Sequence, residues 1–365
     1  MSKRLILLSL LFIQSISAIS DIVPVLSSLV DGRPNRYFME GQLPLAEQTH
    51  EIIGTTDPSV VLISQMSNSV LLKTKVMDGV VQQVRGFQIG SKTSWLHGLA
   101  NSNVFPGQVW ITLQKDNLLL RIDPKVGSID EVPVIIQQIA VPKGFGPHCI
   151  SEYGNNLWVS LQDSSAVLRI NHADTSDYTH YPALPRPIFV ALHPENNMFY
   201  SSEDNSAAIM QIDANSGKIS QLNTNQGGIT PVGLISGPKG IWFTLLGSPT
   251  QGTGTIGHID ASNTITYHKL TSFWGKNAGL LHLAFDEYDK TSNTLWVLSS
   301  SIINPNGLDM LIKVTFDAGW TTIVKDETVA IPTQNMKAHR ILVTPTHVYV
   351  TELTASRLFS IKKPL

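Results

Sequence analysis

Five histidines carry most of the chemistry this chain could do. His50, His97, His148, His282 and His339 are five of the 11 histidines in 365 residues. They recur about every 48 residues or a multiple of it, and Ile188 and Val232 take the same place in the two repeats that lack one. Neutral imidazole is a ligand for borderline metals, and it is the side chain whose unperturbed proton affinity lies nearest neutral pH. A convergent set would hold a cation or supply a general base tuned by its neighbours. Positions that repeat in a closed array lie on a ring about its axis. The five imidazoles should therefore face a common channel, with Ile188 and Val232 as its apolar side, and His50, His97, His148, Ile188 and Val232 are candidate substrate-binding positions.

A second repeating position carries carboxylates. Glu203 follows Tyr200 by three residues and Glu352 follows Tyr349 by three, where other repeats place Leu113, Leu161, Leu245 and Ser299. Gln114 and Gln162 fall one residue further on, so strand alternation should turn them the other way or leave them capping a strand end. Gln65 fits either position. Glu352 shares a repeat with His339, which makes a carboxylate and imidazole pair; Glu203 has no histidine in its own repeat.

The elements that must position these groups are legible between Gly146 and Ile170. An apolar run containing His148 meets the turn Gly154-Asn155-Asn156, then LWVSLQ, a polar turn and AVLRI, which is strand and hairpin chemistry. Related stretches start near Gln48, Trp95, Arg186, Thr230, Gly279 and Lys337, and the aromatic of the second strand falls at Trp110, Trp158, Tyr200, Trp242, Trp296 and Tyr349. One such unit cannot bury its own faces and has to stack on copies. We expect an all-β, seven-bladed β-propeller with four-stranded blades. The last repeat holds only about three strands, so an N-terminal strand, best matched by the apolar residues Ile22 to Val30, should close the ring. Longer insertions follow Trp242 and Trp296, in LLGSPTQGTGT and SSSIINPNGLDM, and belong on a binding rim.

The first 20 residues join Lys3 and Arg4 to an apolar run from Leu5 to Ile13 and the small-residue segment SISAIS, which reads as a signal peptide. Residues 21–365 then form one domain that is secreted and extracellular. No later run is long enough for a membrane span. A net charge of −2 with scattered Lys and Arg leaves no field for nucleic acid, and a monomer acting on a small molecule without a nucleotide is expected. Cys149 is the single cysteine, so no intramolecular disulfide forms, and its apolar strand argues for a buried, inert thiol.

The segments GPHCI, TPVGL, LWVSLQDSSAVLRI, IWFT and TELTASRLFSI resemble the repeat of the streptogramin B lyases, also called virginiamycin B lyases. The resemblance covers most of the chain. It implies a seven-bladed propeller that opens a cyclic depsipeptide by magnesium-dependent elimination. It places His339 of KAHRI as the general base, His282 of LLHLA as a substrate-contacting catalytic group, and Glu352 of YVTE as a metal ligand. His339 would take a proton α to an ester carbonyl that the cation polarises. The family has Glu-Pro-His where this chain has Lys337-Ala338-His339, so a cation replaces the second acidic ligand. The extra His50, His97 and His148 point instead to a different, His-bound transition metal, or to no metal and a different substrate. The expected function is therefore a lyase-like enzyme acting on a cyclic ester or related small molecule. The alternatives are a metal-dependent lactonase or other hydrolase, and a non-catalytic extracellular binding propeller.

Overall fold

The computed structural model describes residues 38–363 and the backbone of Val23–Val25. The expected signal peptide lies outside the described residues. Among the described residues the chain forms seven antiparallel sheets, six of four strands and one of five. The sheets follow the chain as blades at 49–88, 96–140, 147–182, 187–223, 231–269, 280–330 and 338–362, numbered one to seven below. No helix among the described residues is long and apolar enough to cross a membrane.

The repeated aromatic of the second strand explains why the blades stack. Trp110 packs on Ile150 and Leu157 of blade three, Trp158 on Val190 and Phe199 of blade four, and Tyr200 on Leu234 and Ile241 of blade five. Trp242 continues onto Leu283 and Leu295, Trp296 onto Ile341 and Val348, and Tyr349 onto Ile52 and Val61 of blade one. Leu62 takes the same role between blades one and two. Each of these side chains is covered by the neighbouring blade, with same-blade contacts such as Trp158 on Tyr181 and Trp242 on His258 added to it, so blade stacking supplies much of the core.

An N-terminal strand closes the ring as expected, but it is not the segment Ile22 to Val30. The fourth strand of blade seven is Phe38–Gln42, paired with Arg357–Lys362 in the register Phe38 to Ile361, and Val23–Val25 adds a fifth strand outside it. The segment Ile22 to Val30 is the more apolar of the two, whereas Phe38–Gln42 contains Glu40 and Gly41. Both exceptions have a physical use. Glu40 accepts hydrogen bonds from the Thr333 backbone N–H and hydroxyl at 2.8 and 2.7 Å and from Arg357 at 3.0 Å. A Cβ on Gly41 would lie 2.5 Å from Val81 of blade one.

In five of the seven blades one hydroxyl locks the innermost strand to that of the next blade. Thr112 Oγ1 accepts the Gly98 N–H at 2.8 Å within blade two and donates to the His148 carbonyl of blade three at 2.8 Å. Ser64, Ser160, Ser202 and Thr351 make the same two bonds, donating to the carbonyls of His97, Ile188, Val232 and His50. The carbonyl taken is always that of the axial residue of the next blade. Replacing Thr112 by Val should strand a buried donor and acceptor and cost about 1–3 kcal/mol, read as a lower guanidinium midpoint; an unchanged midpoint would show that the bond carries no stability.

Candidate functional site

Each innermost strand carries a bulge at the axis, between Thr49 and Ile52 in blade one and between Ala338 and Arg340 in blade seven. A bulge presents two consecutive residues where regular alternation would present one. The axis is consequently built in two layers. The upper layer holds His50, His97, His148, Ile188, Val232, Leu281 and His339, and the lower holds Glu51, Gly98, Cys149, Phe189, Gly233, His282 and Arg340.

This layering corrects the position of His282. Ladder partners Leu280 with Ser299 and His282 with Leu298 match Ala338 with Glu352 and Arg340 with Thr351 in blade seven. Leu281 is thus the counterpart of His339, and His282 that of Arg340. The upper layer has four imidazoles and not five. They fall on consecutive blades seven, one, two and three, opposite the aliphatic arc of Ile188, Val232 and Leu281.

A cavity of about 780 Å³ opens over this layer, lined by all four imidazoles and by Ile188, Val232 and Leu281. His50 Nε2 lies 2.7 Å from His97 Nε2 and 2.7 Å from His339 Nε2. The His97 and His148 rings stand 3.8 Å apart between centroids, nearly edge to face. Ligating atoms of His50, His97 and His148 all fall within 4.8 Å of one another. Three buried imidazoles are therefore close enough to hold one metal ion. Burial drives all four below the ordinary histidine range, and the neighbouring imidazoles and Arg340 push the same way; His97 falls to about 3. They are unprotonated at neutral pH, the state that ligates or accepts a proton.

The lower layer is a polar floor. Arg340 Nε pairs with Glu51 Oε2 at 3.0 Å, and its guanidinium lies 4.9 Å from the centroid of Phe189. His282 Nδ1 accepts the Ile341 N–H at 3.3 Å, and the His282 ring sits 5.5 Å from Phe189. Cys149 is buried beside His148 Nδ1 at 3.1 Å, and burial pushes its thiol up to about 12, so it is the inert thiol expected.

At the mouth, Trp95, Arg186, Thr230 and Lys337 enter their strands with φ of 58, 63, 61 and 56°. Each is a left-handed non-glycine residue, strained by on the order of 1 kcal/mol. Each is held by its carbonyl, which accepts an N–H just past the second strand at Gln114, Asp204, Leu246 and Leu353. Gln114 and Gln162 lie one residue past the ends of their second strands, the strand-end alternative of the two, and there they line the cavity and bond to each other at 3.2 Å.

Glu352 is not part of the imidazole cluster. It is buried beside Glu40 of the closing strand, with Arg357 and Asp309 as its other charged neighbours. Gln65 and Glu203 occupy the same ladder position, opposite Thr49 and Pro187. Glu203 accepts the Leu184 N–H at 2.6 Å, and burial raises it to about 7. Magnesium asks for an octahedron of oxygen ligands, and the grouped donors are imidazole nitrogens. The residues present do not fit magnesium; they fit a borderline transition ion such as zinc.

Fold and axial site together define a seven-bladed β-propeller with a histidine-lined cavity, and its fold is that of the streptogramin B lyases. A catalytically inactive variant of virginiamycin B lyase from Staphylococcus aureus with quinupristin superposes at a TM-score of 0.70 and 18% identity, over 90% of this chain and 100% of that one. A streptogramin B lyase structure matches at 0.67 and 17%, over 90% and 98%. A structure of YCF48 bound to D1 peptide matches at 0.60 and 14%, over 90% and 95%, so the fold is shared beyond lyases. No family model and no curated protein sequence matches the chain.

Burial, and then the charge of Glu40, raise Glu352 to about 9 from an ordinary 4.5. The folded state keeps this proton where the unfolded chain has lost it, so stability falls as pH rises from 4.5 towards 9. Glu352→Gln should leave stability nearly unchanged at pH 5 and raise it by on the order of 3–5 kcal/mol at pH 8. Urea midpoints at the two pH values measure this, and equal shifts at both would refute it.

Proposed function

We propose that the chain is an exported enzyme that opens a cyclic ester or a related small molecule at the propeller axis. His339 is the general base, and His50, His97 and His148 hold a transition-metal ion. The observation that carries the reading is the convergence of unprotonated imidazoles at the base of one cavity. His50 Nε2 has a single lone pair or a single proton, yet it faces two imidazole nitrogens at 2.7 Å. One hydrogen bond cannot serve both contacts, whereas a shared cation accepts lone pairs from several rings at once.

His339 takes a proton from a carbon that is α to a carbonyl and β to the ester oxygen. That electron pair becomes the carbon–carbon double bond, the alkyl carbon–oxygen bond breaks, and the acyl part leaves as a carboxylate. When bound, the metal supplies a Lewis acid for the carbonyl that acidifies the proton. With His50 Nε2 committed to a cation, His339 Nε2 loses its partner and is free to accept. His282, in the layer below, acts as a positioning residue: it holds the backbone N–H of Ile341, two residues past the base. Export rests on Lys3, Arg4 and the apolar run that follows them.

A non-catalytic binding propeller is the second reading, favoured by Lys337 at the family's acidic position and by Glu352 lying beside Glu40. A panel of cyclic esters separates the two. Elimination leaves the mass unchanged and creates a double bond, whereas a hydrolase would add one water. His339→Ala should keep the fold and lose at least about 100-fold in rate, and a His50→Ala/His97→Ala variant should lose the metal that elemental analysis finds in the parent. Intact esters and no metal in the parent would leave the binding propeller.

A further inference from the structure

The upper layer is divided into two unlike halves, and the chain has added material to one of them. Ile188, Val232 and Leu281 face the cavity from blades four, five and six, and each is at least nine-tenths buried. Leu246 joins them from the segment after the second strand of blade five, and Ile302 and Ile303 from the loop after the second strand of blade six. Those two segments are the longest insertions between second and third strands, residues 246–254 and 300–309.

The insertion on blade six is held in place. Asp309 accepts the Ser301 N–H at 2.8 Å, the Met336 N–H at 2.9 Å and the Ala338 N–H at 3.0 Å, tying the loop to the strand of His339. The cavity rim carries two ion pairs, Lys115 with Asp163 at 3.2 Å and Arg186 with Asp204 at 3.0 Å. What remains for a ligand is a hydrogen-bonding half at the imidazoles and a half in which Ile188, Val232, Leu246, Leu281, Ile302 and Ile303 form an aliphatic cluster, with Arg186, Asp204, Asn205, Thr230 and Ser248 also lining the cavity from blades four and five. The volume is in the range that encloses a small molecule.

We infer that the aliphatic half binds a hydrocarbon arm, so that the ligand is a cyclic ester bearing an alkyl chain of medium length. The ester ring lies over the imidazoles and the chain lies against Val232, Leu281 and Ile303. This rests on the cyclic-ester reading above and adds the part of the ligand that reading leaves open. Specificity would come from length, since each methylene that enters an apolar wall adds a fixed increment of transfer free energy.

Calorimetric titration of the mature protein with γ-butyrolactone, γ-octalactone and γ-dodecalactone tests it. Affinity should rise by up to about 4-fold for each methylene buried. Ile303→Ser, a half-buried loop position that the fold does not depend on, should weaken the dodecalactone about 10-fold and leave the butyrolactone unchanged. Equal affinities along the series, no binding of any member, or a dodecalactone affinity untouched by Ile303→Ser would overturn the proposal. Its failure is distinguishable from failure of the proposed reaction, because these saturated γ-lactones carry no carbonyl-acidified hydrogen next to the alkyl carbon–oxygen bond and so report binding alone: a length-dependent affinity beside an inert panel of cyclic β-acyloxy carbonyl compounds supports the hydrocarbon site and removes the enzyme reading, whereas ring opening in that panel without length dependence among the lactones does the reverse.

Discussion

The second-strand hydroxyls, each accepting one N–H and donating to one carbonyl, hold the axial layer on which the rest of the site depends. Seven innermost strands run side by side around the axis without forming a common sheet, so their inward backbone groups have no ladder to satisfy them. A Ser or Thr in five blades bridges its own strand's N–H to the next strand's carbonyl. Thr244 of blade five accepts its N–H, from Gly233, in the same way. A buried amide left unpaired costs about 1–3 kcal/mol, so the ladder sets the distance between neighbouring blades and with it the spacing of the imidazoles. It also explains the glycines of the lower layer, because a Cβ at Gly98 would lie 2.5 Å from the His148 carbonyl.

Blade six breaks this ladder, and the break shapes the floor of the site. Leu298 stands where the hydroxyl should be, and the next axial carbonyl, that of His339, is taken instead by Arg340 Nη1 at 3.1 Å. A guanidinium at the axis needs a counter-charge, which Glu51 supplies at 3.0 Å, and Phe189 covers its face. The missing hydroxyl, the buried ion pair and the cation that helps keep His339 unprotonated are one connected arrangement. Removing Glu51 alone would leave a buried positive charge, which is more damaging than removing the pair.

Burial is used differently at the two carboxyl positions and at the imidazoles. Glu352 is neutral because it is enclosed beside Glu40, and the imidazoles are neutral because they are enclosed beside one another and Arg340. Neutral groups do not repel across the axis, so four nitrogen bases can crowd into one arc without a compensating acid. The opposite arc needs no polar partner and takes Ile188, Val232 and Leu281. The cavity is therefore sided, and the sidedness follows from which blades carry a histidine.

Much of this was written in the sequence, because stacking forces each repeat to keep the same few residues. The recurring Trp or Tyr of the second strand, the polar hairpins and the spacing of about 48 residues determine a seven-bladed ring, and His50, His97, His148 and His339 were visible as a set for the same reason. Three features depended on the tertiary structure. The bulge at the axis decides which of two adjacent residues faces the cavity, so Leu281 and His282 could not be told apart by spacing, and in blade six no proline precedes them to mark the register as it does at His148, Ile188 and Val232. The closing strand is chosen by its partners in blades one, six and seven, which favour Glu40 and Gly41 over a more apolar segment. The seat of Glu352 is set by that same closure, which brings Glu40 against it from 312 residues away in the chain and leaves it outside the imidazole cluster. Local pattern determines what each blade is made of; only the closed ring decides which side chains meet at its centre.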